Sequence, residues 1–284
     1  MIAIVDSGST KSDWVVLEND FEEVFRANTI GFNPYFINSE EIEQELRKNE
    51  DLMGVAERLE KVFFYGAGCS SESLRKVVQV AFDKVFVNAK NVIDHDLKAA
   101  AYAAYDGKPA VVCILGTGSN SCYFDGESIY EATPSLAYIL GDEGSGNHLG
   151  RELVKAYFTN KLPENLHKAF DERYNLSIEK LNKNVYDNKF ANAYLATFSR
   201  FVADYKSEPF IMQIIYRCLS DFFYAQVLPY PQIKEAEINF IGSVAHYYED
   251  TLRAVAAEYN LRVGEIVTKP INNLVRYHKQ YLSN

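Results

Sequence analysis

Several features that mark whole classes of protein are absent or rare in this chain of 284 residues. It contains no run of eighteen apolar residues, so the sequence predicts no membrane-spanning helix. Basic residues are in the minority, with 29 Lys and Arg against 39 Asp and Glu. The resulting net charge of −10 argues against a nucleic-acid surface, which needs a clustered basic face.

Cysteine is also scarce. The chain has 4 cysteines, with neither a CxxC pair nor the His spacing of a zinc site. We therefore expect reduced, mostly buried thiols. The N-terminal Met1–Asp6 has neither the charged start nor the long apolar centre of a signal peptide. Together these features predict a cytoplasmic protein.

The composition is that of an ordinary globular protein, with 48% hydrophobic and 24% charged residues and no low-complexity tract. Its length suggests about two domains. No Pro/Gly/Ser-rich linker divides the chain, so we expect closely packed halves with a hinge near residues 105–109.

Two short stretches, Asp6–Ser12 and Leu115–Asn120, echo each other. Each lies between two candidate strands, which predicts a hairpin with small residues at its tip. Such a tip exposes backbone N–H groups and hydroxyls that can hold an anion. The two stretches are about one domain length apart. Two phosphate-binding hairpins in duplicated halves favour a phosphoryl-transfer enzyme that clamps a nucleotide.

The surrounding pattern is duplicated as well, because each half opens with three strands in hairpin order. The predicted strands are Ile2–Val5, Trp14–Leu17, Glu23–Ala27, Lys61–Tyr65, Asn91–Ile93, Ala110–Leu115, Ser121–Phe124, Ser128–Tyr130, Glu237–Ile241 and Arg262–Ile266. The predicted helices are Ser39–Lys48 with Ser39 as N-cap, Ser71–Phe82, Leu97–Tyr105, Gly146–Thr159, Lys189–Tyr205, Phe210–Val227, Val244–Tyr259 and Ile271–Tyr281.

Four segments, Asp6–Lys11, Gly116–Asn120, Gly141–Ser145 and Gly242–Ala245, occur in an order that resembles a known family. It is the N-acetylglucosamine kinase branch of the actin/hexokinase/Hsp70 superfamily, grouped with the BadF/BadG/BcrA/BcrD ATPases. The resemblance implies an α/β fold of two RNase H-like lobes around a central cleft, with mixed sheets flanked by helices and ATP in the cleft.

The expected domains follow from this resemblance. The first lobe is 1–106, with the C-terminal helix 270–284 packing back on it, and the second is 107–269 with a helical insertion. One departure from the family is the segment Thr133–Leu140, which lacks the usual glycines. This departure leaves open the contacts that the segment makes with a sugar.

Asp6 ends the first strand, where phosphoryl transfer needs a carboxylate to fix Mg²⁺ beside the phosphates. The resemblance implies this metal role; the structural alternative is an Asp that initiates a turn. The resemblance further implies that ATP and its phosphates are bound by the small residues of the two hairpins and a later turn: Gly8, Ser9, Thr10, Lys11, Gly116, Thr117, Gly118, Gly242 and Ser243.

Asp96 is the candidate general base, because the family register places there the aspartate that accepts the proton of the attacking sugar hydroxyl. It opens an Ala-rich helix, so a helix N-cap is the structural alternative, and Asp94 is a second candidate for the base. The residues implied to contact the sugar are Asn33, Asp96, Ser119, Asn120 and Asp142.

The expected function is thus an ATP- and Mg²⁺-dependent kinase acting on the 6-hydroxyl of an amino sugar, N-acetylglucosamine or N-acetylmuramic acid. Two alternatives stay open: an activator-like ATPase of 2-hydroxyacyl-CoA dehydratases, and a non-catalytic nucleotide- or sugar-binding regulator. The expected partner is this small sugar, with no nucleic acid and no membrane. The many aromatic residues suit a homodimer surface as well as a core.

Overall fold

The computed structural model describes residues 1–282. The chain divides into two compact units, the first made of residues 1–105 with the C-terminal segment from Lys269, and the second of Asp106–Thr268. Each unit has its own five-stranded sheet flanked by helices, which confirms the expected α/β class with mixed sheets.

The first sheet has the strand order β3-β2-β1-β4-β5. Its strands are β1 Ile2–Ser7, β2 Lys11–Leu17, β3 Glu23–Ile30, β4 Lys61–Gly66 and β5 Lys90–His95. The first three form an antiparallel meander, and β4 and β5 run parallel to β1. Parallel strands end at one edge of a sheet, so the chain leaves β1, β4 and β5 on the same side.

Helices cover both faces of this first sheet. They are α1 Ser39–Arg47, α2 Glu50–Val55, α3 Glu72–Val85, α4 Asp96–Ala104 and α14 Pro270–Tyr281. On one face Trp14 stacks on Phe82 of α3, with ring centroids 5.8 Å apart. On the other face Ile4 packs with Leu274 of α14. Successive side chains of a strand point to opposite faces, so the near-continuous apolar run of β1 serves both cores.

The second sheet repeats the layout of the first, with the order β10-β9-β6-β7-β8. Its strands are β6 Ala110–Leu115, β7 Ser119–Phe124, β8 Ile129–Tyr130, β9 Glu237–Ile241 and β10 Val263–Val267. Strands β6, β7 and β8 are antiparallel, whereas β9 and β10 run parallel to β6.

The helices of the second unit are α5 Ala137–Leu140, α6 Gly146–Phe158, α7 Glu164–Tyr174, α8 Ile178–Tyr186, α9 Ala191–Thr197, α10 Ser199–Asp204, α11 Pro209–Phe222, α12 Ser243–Tyr247 and α13 Glu249–Glu258. Most of them enclose a large aromatic core that includes Phe170, Phe201 and Phe222, each fully buried. One turn of π-helix, Phe223–Val227, extends α11.

Three helix predictions were wrong in detail. Asn38, and not Ser39, caps α1, because its side chain accepts from Glu41 N while Glu41 accepts from Asn38 N. The helix predicted over 189–205 is broken at Phe198, and the one over 244–259 is broken at Tyr248. Both break residues are buried, so the apolar periodicity continues across the break and conceals it.

None of the helices within residues 1–282 combines the length and the apolar composition of a membrane span. All four cysteines are buried and free of disulfide bonds.

Candidate functional site

The first predicted hairpin lies between β1 and β2. Ser7 and Ser12 are its last paired residues, and Gly8 N donates to Lys11 O at 2.9 Å to close the turn. Thr10 at the tip is exposed. Its hydroxyl is therefore accessible, and the binding of phosphate by this tip stays a prediction.

The segment that follows β3 supports this tip from behind. A Cβ on Gly31 would lie 2.2 Å from Gly8 O, so only glycine allows the two backbones to approach so closely. Phe32 N donates to the buried Ser7 hydroxyl at 3.0 Å. Sequence analysis did not single out Gly31; the available signal was its position directly after the third predicted strand and shortly before Asn33.

Asn33, predicted to contact the sugar, has hydrogen bonds at both ends of its amide. Its Nδ2 donates to Ser9 Oγ at 3.0 Å, and its Oδ1 accepts from Tyr35 N at 3.0 Å. In this arrangement Asn33 orients the hairpin tip. Its contact with a sugar stays a prediction.

Asp6, the predicted metal ligand, lies at the end of β1 directly opposite Asp13 of β2. Loss of hydration, with smaller contributions from the negative charges of Asp96 and Asp13, raises the pKa of Asp6 to about 7. The structure thus brings Asp6 and Asp96 together at the edge where β1 and β5 both end, although they are far apart in sequence.

This donor set suits Mg²⁺. Magnesium is commonly held by one or two carboxylates, with water and substrate phosphates completing its shell. Among residues 1–282 no group of three or more His, Cys, Asp or Glu could hold a metal ion by itself. Asp6 beside Asp96 offers acidic oxygens whose mutual repulsion a divalent cation would relieve, which fits a metal shared with a phosphate ligand.

The structure separates the two candidates for the general base. Asp94 is engaged by Lys98, whose Nζ lies 2.6 Å from Asp94 Oδ2, and by the backbone N–H of His95 at 3.0 Å. Asp96 is the first residue of α4 and accepts from Leu97 N at 3.0 Å. The N-cap of α4 is His95, so Asp96 does not hold that position. The ion pair with Lys98 holds Asp94, and the role of Asp96 as general base stays a prediction.

The second predicted hairpin, between β6 and β7, is supported by the start of α6. Gly146 N donates to Gly116 O at 2.8 Å, and Asn147 N donates to Thr117 O at 3.1 Å. The Asn147 side chain donates to the same Thr117 oxygen at 2.8 Å. Helix α6 thus begins against the hairpin tip, with Ser145 as its N-cap.

Asp142, predicted to contact the sugar, is hydrogen-bonded to this hairpin. Its Oδ1 accepts from Ser119 N at 3.0 Å, and its Oδ2 accepts from Asn147 Nδ2 at 2.8 Å. Burial raises the pKa of Asp142, and these two hydrogen bonds oppose the rise. A Cβ on Gly118 would lie 2.9 Å from Asp142 Oδ1, so a larger residue there would displace this carboxylate. The sugar contact of Asp142 stays a prediction.

The remaining predicted residues of this unit lie close by. Asn120 accepts from Ser121 N at 2.9 Å, and Ser119 Oγ is buried without a hydrogen-bond partner among the described residues.

Gly242 has a φ of 120°, and a Cβ there would lie 2.3 Å from Leu115 O. Gly242 and Ser243, which begins α12, therefore lie beside the base of the second hairpin. Their contact with ATP stays a prediction.

Comparison with solved structures gives extensive matches, whereas no family model and no curated protein matches the chain. A protein of Porphyromonas gingivalis proposed to be an N-acetylglucosamine kinase is 36% identical over 99% of this chain and 100% of its own, with a TM-score of 0.91. A protein of Chromobacterium violaceum, also proposed to be an N-acetylglucosamine kinase, is 17% identical over 97% and 98%, with a TM-score of 0.67.

A ROK family glucokinase of Streptomyces griseus, solved with glucose and AMPPNP, is 13% identical over 97% of both chains, with a TM-score of 0.58. It and the Chromobacterium protein are similar in fold. The paired sheets and these matches define an α/β protein of the actin/hexokinase/Hsp70 superfamily, built from two RNase H-like lobes. Within that superfamily the chain belongs to the N-acetylglucosamine kinase-like family.

Proposed function

We propose that this protein is an ATP-dependent kinase that phosphorylates the 6-hydroxyl of an amino sugar, N-acetylglucosamine or N-acetylmuramic acid. The observation that carries the proposal is that β1 and β5, both parallel to β4, end at one edge of the first sheet, which places Asp6 and Asp96 at the same edge as the first hairpin. Phosphoryl transfer uses a group that holds the metal and a group that orients the nucleophile, and these two carboxylates can fill both roles. The similarity to the Porphyromonas protein supports an amino sugar as the acceptor.

In this proposal the first hairpin binds phosphate through the backbone of Ser9 and through Thr10 and Lys11, and Gly8 lets the phosphate approach the backbone closely. Lys11 Nζ lies 2.6 Å from Asp13 Oδ1 on the strand surface, and both side chains are about half exposed. An exposed ion pair of this kind is weak, so a polyphosphate can compete for the ammonium group. Gly116, Thr117 and Gly118 of the second hairpin bind nucleotide phosphate, and Gly242 and Ser243 bind adenosine.

Asp96 acts as the general base. It accepts the proton of the sugar 6-hydroxyl as that oxygen bonds to the γ-phosphorus of ATP. The bond from the γ-phosphorus to the bridging oxygen breaks, and ADP leaves with its electron pair. Asp6 holds Mg²⁺, which offsets phosphate charge when bound. Asn33, Ser119, Asn120 and Asp142 orient the sugar, since position is most of what this chemistry needs.

One alternative loses support from the position of the thiols. An activator-like ATPase needs accessible cysteines to hold an iron–sulfur cluster at a subunit interface. Cys113 and Cys122 are fully buried in β6 and β7, and burial raises the pKa of Cys113 well above its ordinary value. Both thiols are part of the core of the second unit.

The test is the Asp96→Asn variant, assayed for sugar phosphate formation and, separately, for ATP binding by calorimetry. We expect turnover to fall by about 10²–10⁴-fold with ATP affinity nearly unchanged. Asp94→Asn is the matched control and should retain more activity, because Asp94 forms an ion pair with Lys98. Unchanged turnover in Asp96→Asn would overturn the assignment, and ATP binding without turnover in the wild type would favour the regulator.

A further inference from the structure

Asn147 is fully buried at the start of α6, where a polar side chain needs hydrogen-bond partners. Its Nδ2 lies 2.8 Å from Thr117 O and 2.8 Å from Asp142 Oδ2. A single amide therefore joins the tip of the second hairpin to the carboxylate of Asp142.

The other oxygen of Asp142 continues the connection. Asp142 Oδ1 accepts from Ser119 N at 3.0 Å, on the far side of the same tip. Asp142 has a φ of 58°, an uncommon conformation for a residue other than glycine, so local structure must hold it there. Thr117 and Ser119 are thus fixed from two sides by one buried pair, Asp142 and Asn147.

The first hairpin is supported differently. Its turn is closed by the bond from Gly8 N to Lys11 O, and the amide of Asn33 contacts only the side chain of Ser9 within that turn. In the second hairpin, by contrast, the amide of Asn147 contacts the backbone itself. The second tip has one bond of its own, from Gly116 N to Gly118 O at 3.0 Å, whereas the carbonyl of Thr117 and the N–H of Ser119 are bonded to residues outside the tip.

Buried polar atoms without a partner accumulate in this part of the chain. Among residues 1–282 they include Ser119 Oγ, Glu143 Oε2 and Asn147 Oδ1. Such atoms are costly in a folded protein unless water, an ion or a ligand supplies the missing partner. Their presence around the pair fits a tip whose geometry serves a ligand and not merely folding.

We infer that Asn147 is a positioning residue: together with Asp142 it fixes the backbone of Thr117–Ser119, so that this hairpin binds its ligands in one conformation. The inference rests on the proposed function for the identity of those ligands, ATP and the amino sugar. It assigns Asn147 no contact with either ligand. The contribution of Asn147 to binding is then entirely indirect, through Thr117 O and Asp142.

Hydrogen exchange of the ligand-free protein tests the physical part of the inference. In Asn147→Ala and in Asp142→Asn, the amides of residues 116–119 should exchange at least about tenfold faster, because the tip loses its anchors. Asn239→Ala is the matched control, since Asn239 is also a buried Asn of the second unit but accepts from Glu265 N. It should leave exchange at 116–119 unchanged.

Kinetics test the functional part. Both variants should raise the Kd for ATP and the KM for the sugar together, by about tenfold, with a smaller effect on kcat. The double variant should be no worse than the more impaired single one, because the two residues act as a unit. Asp142→Asn preserves the shape of the side chain, so this variant still tests the inference if Asn147→Ala does not fold.

Three results would overturn the inference. The first is unchanged exchange at 116–119 in both variants, the second is additive effects in the double variant, and the third is a rise in the sugar KM alone in Asp142→Asn. Failure of this inference can be distinguished from failure of the proposed function. If the wild type has no kinase activity, hydrogen exchange at 116–119 and nucleotide binding still show whether Asp142 and Asn147 fix the hairpin tip.

Discussion

Asp6 and Asp13 lie directly opposite each other in the antiparallel pair β1–β2, so two carboxylates share one face of the first sheet. Like charges in this position repel. Lys11 Nζ and Asn28 Nδ2 both contact Asp13, at 2.6 and 2.7 Å, and so offset part of its charge. Loss of hydration is the main reason that the pKa of Asp6 is raised to about 7, and the negative charges of Asp96 and Asp13 add to it.

The raised pKa of Asp6 predicts a variant that loses function and gains stability. Its pKa in the folded state, about 7, exceeds the ordinary 3.8, so ionisation favours the unfolded chain as the pH rises from 4 to 7. Without metal and nucleotide, Asp6→Asn should be more stable than the wild type by about 1–4 kcal/mol at pH 8 and nearly equal to it at pH 4. Denaturant unfolding at both pH values measures this difference.

Asp20→Asn, a change at an exposed acid of the first unit, is the control and should show little difference at either pH. Equal stabilisation by Asp6→Asn at pH 4 and pH 8 would contradict the explanation by ionisation.

The ion pair of Lys11 with Asp13 predicts a variant with tighter nucleotide binding. Asp13→Asn removes the competitor for the Lys11 ammonium group, and the Kd for ATP should fall by about two- to fivefold, the range expected for an exposed pair. Glu23→Gln, which breaks the exposed Glu23–Arg26 pair of the same sheet, is the control. Weaker ATP binding in Asp13→Asn would show that Asp13 supports Lys11 and does not compete with phosphate.

The close approach of Gly31 to Gly8 predicts that one methyl group disturbs the first hairpin. Gly31→Ala would place Cβ 2.2 Å from Gly8 O and 2.6 Å from Thr10 N, so the tip must move. We expect the Kd for ATP to rise at least about tenfold, since phosphate binding depends on these backbone groups. Gly54→Ala in α2 meets no atom within 4 Å and should leave the Kd unchanged. Equal Kd values for the two variants would contradict this account.

The buried pair of Tyr65 and His278 predicts acid sensitivity. Tyr65 Oη lies 2.9 Å from His278 Nε2, and burial lowers the pKa of His278 to about 4 from 6.5. A lowered His pKa means stability that is present above pH 6.5 and is lost as the pH falls through 4. His148 has the same shift for the same reason, so the loss has two sources.

Replacing His278 tests one of these sources. In His278→Gln, the fall in the free energy of unfolding between pH 7 and pH 4 should be smaller than in the wild type by up to about 3 kcal/mol. Unfolding measured at intervals of half a pH unit gives this difference. An identical pH dependence in variant and wild type would contradict it.

The sequence predicts those parts of the fold that local pattern determines. Strands β6 and β9 have the predicted bounds, and α6 begins at Gly146 as predicted. Helices α7 and α8 were not predicted, and the breaks at Phe198 and Tyr248 depend on tertiary packing that the apolar spacing does not record.

The candidate site divides in the same way. The glycines and hydroxyl residues of both tips are visible as motifs, whereas the hydrogen bonds that Asp142 and Asn147 make to the second tip join residues more than twenty positions apart. The charge effect of Asp96 on Asp6 likewise depends on two parallel strands ending at one edge. Pairings of this kind follow from topology, which residue spacing alone does not give.

The most direct test of the central claim is ADP release from Mg²⁺-ATP with a panel of N-acetylglucosamine, N-acetylmuramic acid, glucosamine, N-acetylmannosamine and glucose. We predict strong stimulation by N-acetylglucosamine or N-acetylmuramic acid, with product phosphorylated at the 6-hydroxyl and loss of the signal in Asp96→Asn. Absence of stimulation by every sugar, in protein that still binds ATP, would contradict the account.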